Sequence, residues 1–247
     1  MLLQAFQDRS ADRRRAPPRS GPRLLIAGAT GVLGNEVLRQ LVGRGRFGTT
    51  QLLAREPITV GLSGVTTAVV AGDTPADWQA GAADTGVILF DPPRLFHGRE
   101  RALWTPRPEQ LAELAAWMRR SGVTTLAVVL PHAQGRLPEA LKRGLASLEE
   151  QAVAALGFER LLMVRSAQKR KAPAAQGWLP GVAHWMLSSF KYMVPRSEQP
   201  VRAAKVAEFV TAALQLAPPG IHVAAPQTVW DAAQRDPQVV VRQWLGL

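Results

Sequence analysis

The sequence predicts an α/β fold, a doubly wound parallel sheet with helices on both faces. Two observations predict it. Strand patterns alternate with helix patterns along most of the 247-residue chain, and a glycine-rich turn joins the first strand pattern to the first helix pattern. A hydrophobic content of 47% is enough for one large core, so we expect a single domain over residues 23–247.

The elements follow in order from local patterns. Runs of aliphatic and β-branched residues bounded by turns predict seven strands, at residues 23–27, 50–54, 66–70, 86–90, 124–130, 160–164 and 221–224. A helix with Thr105 as N-cap and Pro106 in its first turn is predicted to end before Gly122. Further helices are predicted over residues 139–156 and 201–216.

The turn after the first strand has three glycines spaced three residues apart, Gly28, Gly31 and Gly34. In a phosphate-binding turn, the first lets the strand turn sharply, the second lets a pyrophosphate approach the backbone, and the third lets the helix pack closely on the sheet. Amides at the start of the helix then favour an anion. The pattern predicts a Rossmann-type dinucleotide site, and its loop residues are Gly28, Thr30, Gly31, Val32, Leu33 and Gly34.

Residues that follow the predicted strands matter next, because ligands of such sheets lie beyond the carboxyl ends of the strands. Arg55 follows the second strand, where a guanidinium pairs with the 2′-phosphate of NADP and a carboxylate would bind NAD. We therefore expect NADP, with NAD possible. Asp73 follows the third strand and either accepts a hydrogen bond from the adenine amino group or forms a turn.

Several of these segments together resemble a known family. The chain is similar to the atypical short-chain dehydrogenase/reductase family, and to its NAD(P)H-binding, Tat-interacting-protein-like branch. The segments that carry the resemblance are the glycine turn, Arg55, the Ala71-Gly72-Asp73 stretch and residues 157–165. The resemblance covers about residues 23–247. It implies a Rossmann sheet that holds NADP, a Tyr-x-x-x-Lys pair and a serine in active members, and a small substrate-covering cap at about residues 166–200.

The chain departs from the family at the proton-transfer pair. Superposition of the pattern puts Leu141 where tyrosine belongs and Leu145 where lysine belongs, and a shift of one residue does not restore the pair. Loss of a positioned acid lowers the rate of carbonyl reduction about 10²–10⁴-fold. His132 follows the fifth strand pattern and is the candidate substitute acid, or it merely ends a strand beside Pro131. Asp91, after the fourth strand, is similarly placed as a candidate acid, or it begins a turn, which is the preferred interpretation.

The composition of the chain also bears on metal binding, on location and on possible partners. The chain has no cysteine, and its four histidines lack ligand spacing, so we expect no metal site. We expect a soluble, cytoplasmic protein. The formal charge of +11 is concentrated in part in a basic tail, residues 1–22, which we expect to be disordered. Aromatic residues, which would stack on the bases of a nucleic acid, do not alternate with its arginines, so we expect neither nucleic acid nor a membrane surface as the main partner. The aromatic stretch 178–194 either covers a substrate or packs as a core helix.

Three functions remain open. The first is an NADP(H) binder without the usual pair, acting as a redox sensor, a scaffold or a vestigial reductase. The second is an active NADPH-dependent oxidoreductase of an unknown small-molecule substrate, with another proton donor such as His132. The third is a nucleic-acid or membrane-surface binder that uses the basic tail.

Overall fold

The protein forms a seven-stranded sheet in which every neighbouring pair of strands is parallel. A computed structural model describes residues 21–58, 61–94, 97–132, 147–167 and 201–247. The strands are β1 (Arg23–Ala27), β2 (Thr49–Ala54), β3 (Val65–Val69), β4 (Thr85–Leu89), β5 (Thr125–His132), β6 (Arg160–Ala167) and β7 (Gly220–Ala224). Their order is β3-β2-β1-β4-β5-β6-β7. The order reverses between β1 and β4, as in a doubly wound sheet, so the predicted fold class is confirmed.

Helices cover both faces of this sheet. In the described residues they are α1 (Gly31–Gly43), α2 (Gly98–Ala102), α3 (Leu111–Arg120), α4 (Leu148–Ala154), α5 (Ala203–Leu216), α6 (Pro226–Gln234) and α7 (Pro237–Leu245). Two short 3₁₀ helices, Pro75–Asp77 and Pro108–Gln110, lie between them.

Side chains that alternate along the strands form two hydrophobic cores. In β1, Leu24 and Ile26 pack on the face covered by α1, α5, α6 and α7. Leu25 and Ala27 pack on the opposite face with α3 and α4. Because successive residues of a strand point to opposite faces, a strand buried on both sides is continuously apolar. This is why β1 reads as an unbroken apolar run after Arg23.

The helix expected from Thr105 begins later, so Thr105 is not its N-cap. The chain forms the 3₁₀ turn Pro108–Gln110 before α3 starts at Leu111. Thr105 and Arg107 both precede prolines, and a residue before proline is sterically kept out of the helical region. Arg107 is accordingly extended, with φ −96° and ψ 150°.

The other predicted helices agree in part. Of the stretch 139–156, the described residues contain α4, whose N-cap Ser147 accepts a hydrogen bond from the Glu150 amide at 3.2 Å. The stretch 201–216 corresponds to α5, which begins two residues later than expected, at Ala203. Residues 1–20 of the basic tail, and residues 168–200 of the predicted cap, lie outside the described residues.

Within the described ranges, no helix has the length and apolar character needed to span a membrane.

Candidate functional site

The glycine turn connects β1 to α1 at the point where the strand order reverses. Gly28 has φ +77°, a left-handed conformation, and a methyl group there would overlap the carbonyl oxygen of Leu89. A methyl group on Gly34 would lie 2.6 Å from the carbonyl oxygen of Gly28. The two glycines therefore let β1, β4 and the first turn of α1 pack closer than any side chain would permit.

The amides at the start of α1 hold two carboxylates of the chain itself. The Gly31 amide donates to Oε2 of Glu100 at 2.9 Å, and the Leu33 amide donates to Oδ2 of Asp91 at 2.8 Å. The hydroxyl of Thr30, which is fully buried, donates to the carbonyl oxygen of Asp91. The positive end of a helix dipole and its unpaired amides favour anions, and here both anions are side chains. Asp91 was expected to act as an acid or to begin a turn, and both interpretations missed its contact with α1.

Glu100 is the more deeply embedded of the two carboxylates, with 5% of the residue exposed. Its oxygens also accept from the Arg94 amide at 2.9 Å, from Nε of Arg94 at 2.7 Å and from Nδ2 of Asn35 at 2.9 Å. Burial alone raises the pKa of Glu100, but the hydrogen bonds from Arg94 and Gly31 outweigh it and hold that pKa below its ordinary value. Glu100 therefore stays ionised and links α1 to the segment after β4.

The protein is expected to lose stability in acid as Glu100 becomes protonated. A carboxyl whose pKa is lowered by folding stabilises the folded state above its unfolded pKa, and this contribution disappears as the pH falls through the folded pKa. The free energy of unfolding should therefore decrease as the pH falls below 4.5, the ordinary pKa of a glutamate side chain. Urea denaturation of Glu100→Gln should show a lower stability at neutral pH and a weaker acid dependence than the unmodified protein.

The matched control is Glu109→Gln, which removes an exposed carboxylate from the 3₁₀ turn before α3. It should keep the acid dependence of the unmodified chain. An unchanged acid dependence in Glu100→Gln would contradict this role of Glu100.

Arg55 and Asp73, which the sequence places after β2 and β3, lie together in the structure. Nη2 of Arg55 is 2.9 Å from Oδ1 of Asp73, and the two side chains are 50% and 54% exposed. Nε1 of Trp104 also donates to Oδ1 of Asp73 at 3.2 Å. An ion pair this exposed stabilises little, about 0–1 kcal/mol, so either partner can exchange its contact for a ligand at small cost.

The segment before α3 passes between the carboxyl ends of β1 and β2. Leu103 forms an antiparallel bridge with Ala54, and the Trp104 amide donates to the carbonyl oxygen of Leu53 at 2.9 Å. The Gly28 amide donates to the carbonyl oxygen of Trp104 at 3.2 Å. The Trp104 ring is 1% exposed and packs edge-on against Trp78 with ring centroids 4.8 Å apart. This segment is therefore an integral part of the core beside the glycine turn.

These contacts decide how well the site suits a dinucleotide. The donors match, because amides at a helix N-terminus and left-handed glycines are what a diphosphate uses. The space does not match in this conformation, because a methyl group on Gly31 would overlap the Asp91 carboxylate and lie 2.8 Å from the Pro92 carbonyl oxygen. A diphosphate could reach the Leu33 amide only where the Asp91 carboxylate has moved away, and the Gly31 amide is held by the buried Glu100 carboxylate.

A buried ion pair between α4 and β6 was not found by sequence reasoning. Nη2 of Arg165 is 2.6 Å from Oε2 of Glu150, and the side chains are 2% and 7% exposed. Arg165 is the last residue of the 157–165 segment that carries the family resemblance, and no partner was predicted for it. The available signal was Glu150, an acidic residue three positions before the apolar Val153 and thus on the same side of a helix.

The candidate proton donor lies at the edge of what the structure describes. His132 is the last residue of β5 and pairs in register with Ala167 of β6. Positions 141 and 145, where the family pattern has tyrosine and lysine, lie outside the described residues. In the ranges that the structure covers, no group of three or more histidines and carboxylates is arranged to hold a metal ion.

Comparison with known proteins gives likenesses of structure and none of sequence. No family model matches the chain, and no curated protein matches it. The enzyme WbmH of Bordetella bronchiseptica, solved in complex with NAD⁺, is similar with a TM-score of 0.46 and 13% identity, over 85% of this chain and 79% of that one.

A nucleoside-diphosphate-sugar epimerase of Staphylococcus aureus has a TM-score of 0.45 and 14% identity, over 78% of this chain. The match spans only 66% of the epimerase. A Rossmann-fold NAD(P)-binding family protein of Shigella flexneri has a TM-score of 0.38 and 18% identity, over 68% of this chain and 85% of that one.

The fold assignment itself comes from the chain's own topology. A parallel sheet with the order β3-β2-β1-β4-β5-β6 and a glycine turn after β1 is the arrangement of dinucleotide-binding proteins. The chain thus has a Rossmann-type fold.

Proposed function

We propose that this protein binds NADP(H) at the glycine turn and acts as a redox-state sensor or scaffold, without the usual proton-transfer pair. One observation carries the proposal. The amides of Gly31 and Leu33 each hold a carboxylate oxygen, so the start of α1 is an anion site even without a ligand. A diphosphate offers negatively charged oxygens of the same kind, and it would bind by taking the place of a carboxylate at these donors.

The preference for NADP over NAD rests on Arg55. Its guanidinium lies beyond the end of β2, where the ribose next to the adenine is bound in proteins of this fold. A 2′-phosphate carries more charge than the carboxylate of Asp73 and accepts two parallel hydrogen bonds from a guanidinium. Because the pair with Asp73 is half exposed, a 2′-phosphate can take over Arg55.

The sensor or scaffold role rests on the sequence. Leu141 and Leu145 occupy the positions of the family's tyrosine and lysine, and an aliphatic side chain can neither donate a proton nor hold the nicotinamide ribose. A protein that binds the cofactor and lacks these groups reports the NADPH level through its conformation or its partners.

The test is a fluorescence titration with NADPH and NADH, combined with a survey of carbonyl substrates. We expect NADPH to bind with a Kd of about 1 μM, equal to about −8 kcal/mol, and no turnover. Arg55→Ala should weaken NADPH binding about tenfold or more and leave NADH almost unchanged, because only NADPH has the 2′-phosphate.

Arg23→Ala is the matched control for this titration. Arg23 also pairs with an aspartate, Asp84, and is 50% exposed, but it lies at the amino end of β1 and hence at the opposite edge of the sheet. The Arg23→Ala variant should bind NADPH and NADH with unchanged affinities. Equal losses for NADPH and NADH in Arg55→Ala would reject the NADP assignment, and steady turnover of a substrate would favour the active oxidoreductase.

A further inference from the structure

A cavity of about 190 Å³ lies at the amino edge of the sheet, the edge opposite the glycine turn. Three neighbouring strands begin at this cavity. Thr85 of β4 pairs in register with Thr125 of β5, which pairs with Arg160 of β6. The last turns of α1 and α5 line it with Leu41 and Leu214. Helix α1, about 20 Å long, therefore separates the cavity from the glycine turn.

Thr85, Thr125 and Arg160 form a polar row on one face of the sheet. Successive residues of a strand alternate between the two faces. The residues two positions further along each strand belong to the core covered by α1 and α5, and they are Val87, Ala127 and Leu162. The polar row therefore lies on the same face as this core, at its open end, where two hydroxyls and a guanidinium line the cavity.

The guanidinium of Arg160 lacks acceptors in the part of the chain that the structure describes. Its Nε is buried and has no hydrogen-bond partner there. None of the ion pairs between described residues includes Arg160. Buried polar groups are nearly always hydrogen-bonded, and an arginine side chain can only donate. A negatively charged oxygen atom in the cavity would supply what this side chain lacks.

The charges around the cavity also favour an anion. Arg44 and Arg46 line it together with Arg160, and Asp84 is the one carboxylate among the described lining residues. The carboxylate of Asp84 has its own counter-ion, because Nε of Arg23 lies 3.4 Å from it. The carboxyl ends of α1 and α5 contribute about half a negative charge each, which offsets about one of the three guanidiniums. The cavity thus keeps an excess of positive charge.

We propose that this cavity binds a small organic anion, a phosphate monoester or a carboxylate. Its acidic group lies against Arg46 and Arg160, and its apolar part lies against Phe47 and Leu214. These two apolar side chains are only partly buried, so a ligand that covers them removes apolar surface from water. The cavity has the volume of about six water molecules, which suits a molecule with one small ring and is too small for a dinucleotide.

The experiment is a calorimetric titration of the full chain with four probes. Phenyl phosphate and benzoate carry an acidic group on a ring, inorganic phosphate lacks the ring, and benzyl alcohol lacks the charge. We expect phenyl phosphate or benzoate to bind, and the tighter of the two identifies the acidic group. Inorganic phosphate and benzyl alcohol should each bind at least about tenfold more weakly than this tighter probe.

Two variants locate the binding site of the tighter probe. Arg46→Gln changes an exposed side chain between α1 and β2, and Arg160→Gln changes the polar row. Each should weaken binding of the probe about tenfold or more, because a charge-assisted hydrogen bond is lost.

Arg119→Gln is the matched control. It removes the same charge from an exposed position in the last turn of α3, which packs on the opposite face of the sheet. We expect it to bind the probe as tightly as the unmodified chain does. A loss equal to that of the other two variants would show a general effect of net charge and overturn the inference.

The remaining outcomes keep this site distinct from the proposed NADP(H) site, on which it does not depend. Binding of the probe to a chain that binds no NADPH would support the inference and reject the proposed function. Displacement of the probe by NADPH would assign both to one site and overturn the inference. It is also overturned if neither phenyl phosphate nor benzoate binds, if inorganic phosphate binds equally well, or if Arg46→Gln keeps full affinity.

Discussion

Glu150→Ala is expected to lower the free energy of unfolding by about 3–5 kcal/mol, because it removes a buried carboxylate that a buried guanidinium contacts. Arg165 is 2% exposed, and its Nη2 lies 2.6 Å from the Glu150 carboxylate. Water cannot replace the lost carboxylate at such a position without opening the contact between α4 and β6. Equilibrium denaturation in guanidinium chloride measures the change directly.

Two further variants make this first test specific. Glu149→Ala removes the neighbouring carboxylate, which is exposed in the first turn of α4, and should cost less than about 1 kcal/mol. The double variant Glu150→Ala with Arg165→Met removes both charges, and a buried pair replaced by apolar groups is often tolerated. The double variant should therefore be more stable than Glu150→Ala alone. Additive losses in the double variant would contradict the interpretation that the two charges stabilise the fold as a coupled pair.

Gly34→Ala is expected to destabilise the protein by about 1–3 kcal/mol or more, as overpacking against rigid groups does. The added methyl group would lie 2.6 Å from the Gly28 carbonyl oxygen and 2.7 Å from the Ala29 carbonyl carbon. Both are backbone atoms of the turn, which cannot move aside as a side chain could. The melting temperature and the urea midpoint should both fall, whether or not a nucleotide is present.

Gly43→Ala is the control for this second variant, because Gly43 is the last residue of the same helix. A methyl group there has no atom within 4 Å. Replacement of an unstrained glycine by alanine stabilises a protein by about 0.4–1 kcal/mol through the entropy of the unfolded chain. A loss of stability in Gly34→Ala together with a gain in Gly43→Ala would show that close packing at Gly34 is required. A neutral Gly34→Ala would show that α1 can shift away from the sheet.

Local patterns in the sequence were sufficient for most of the sheet. Most strands are short runs of aliphatic and β-branched residues between turns, and the β1 pattern is unbroken because that strand is buried on both faces. The start of α3 was harder to predict. Thr105 is a residue type preferred at helix N-caps, but the prolines that follow it delay the start of the helix until Leu111.

The sequence by itself determined the fold class and the glycine turn, because each is a property of neighbouring residues. The tertiary structure decided what the turn holds. The Leu33 and Gly31 amides receive carboxylates from residues 58 and 69 positions away, Asp91 and Glu100. Such contacts depend on where the segment after β4 crosses β1 and β2, and no local pattern encodes that path. The same limit concealed the Glu150 and Arg165 pair, since only packing of α4 on β6 brings the two charges together.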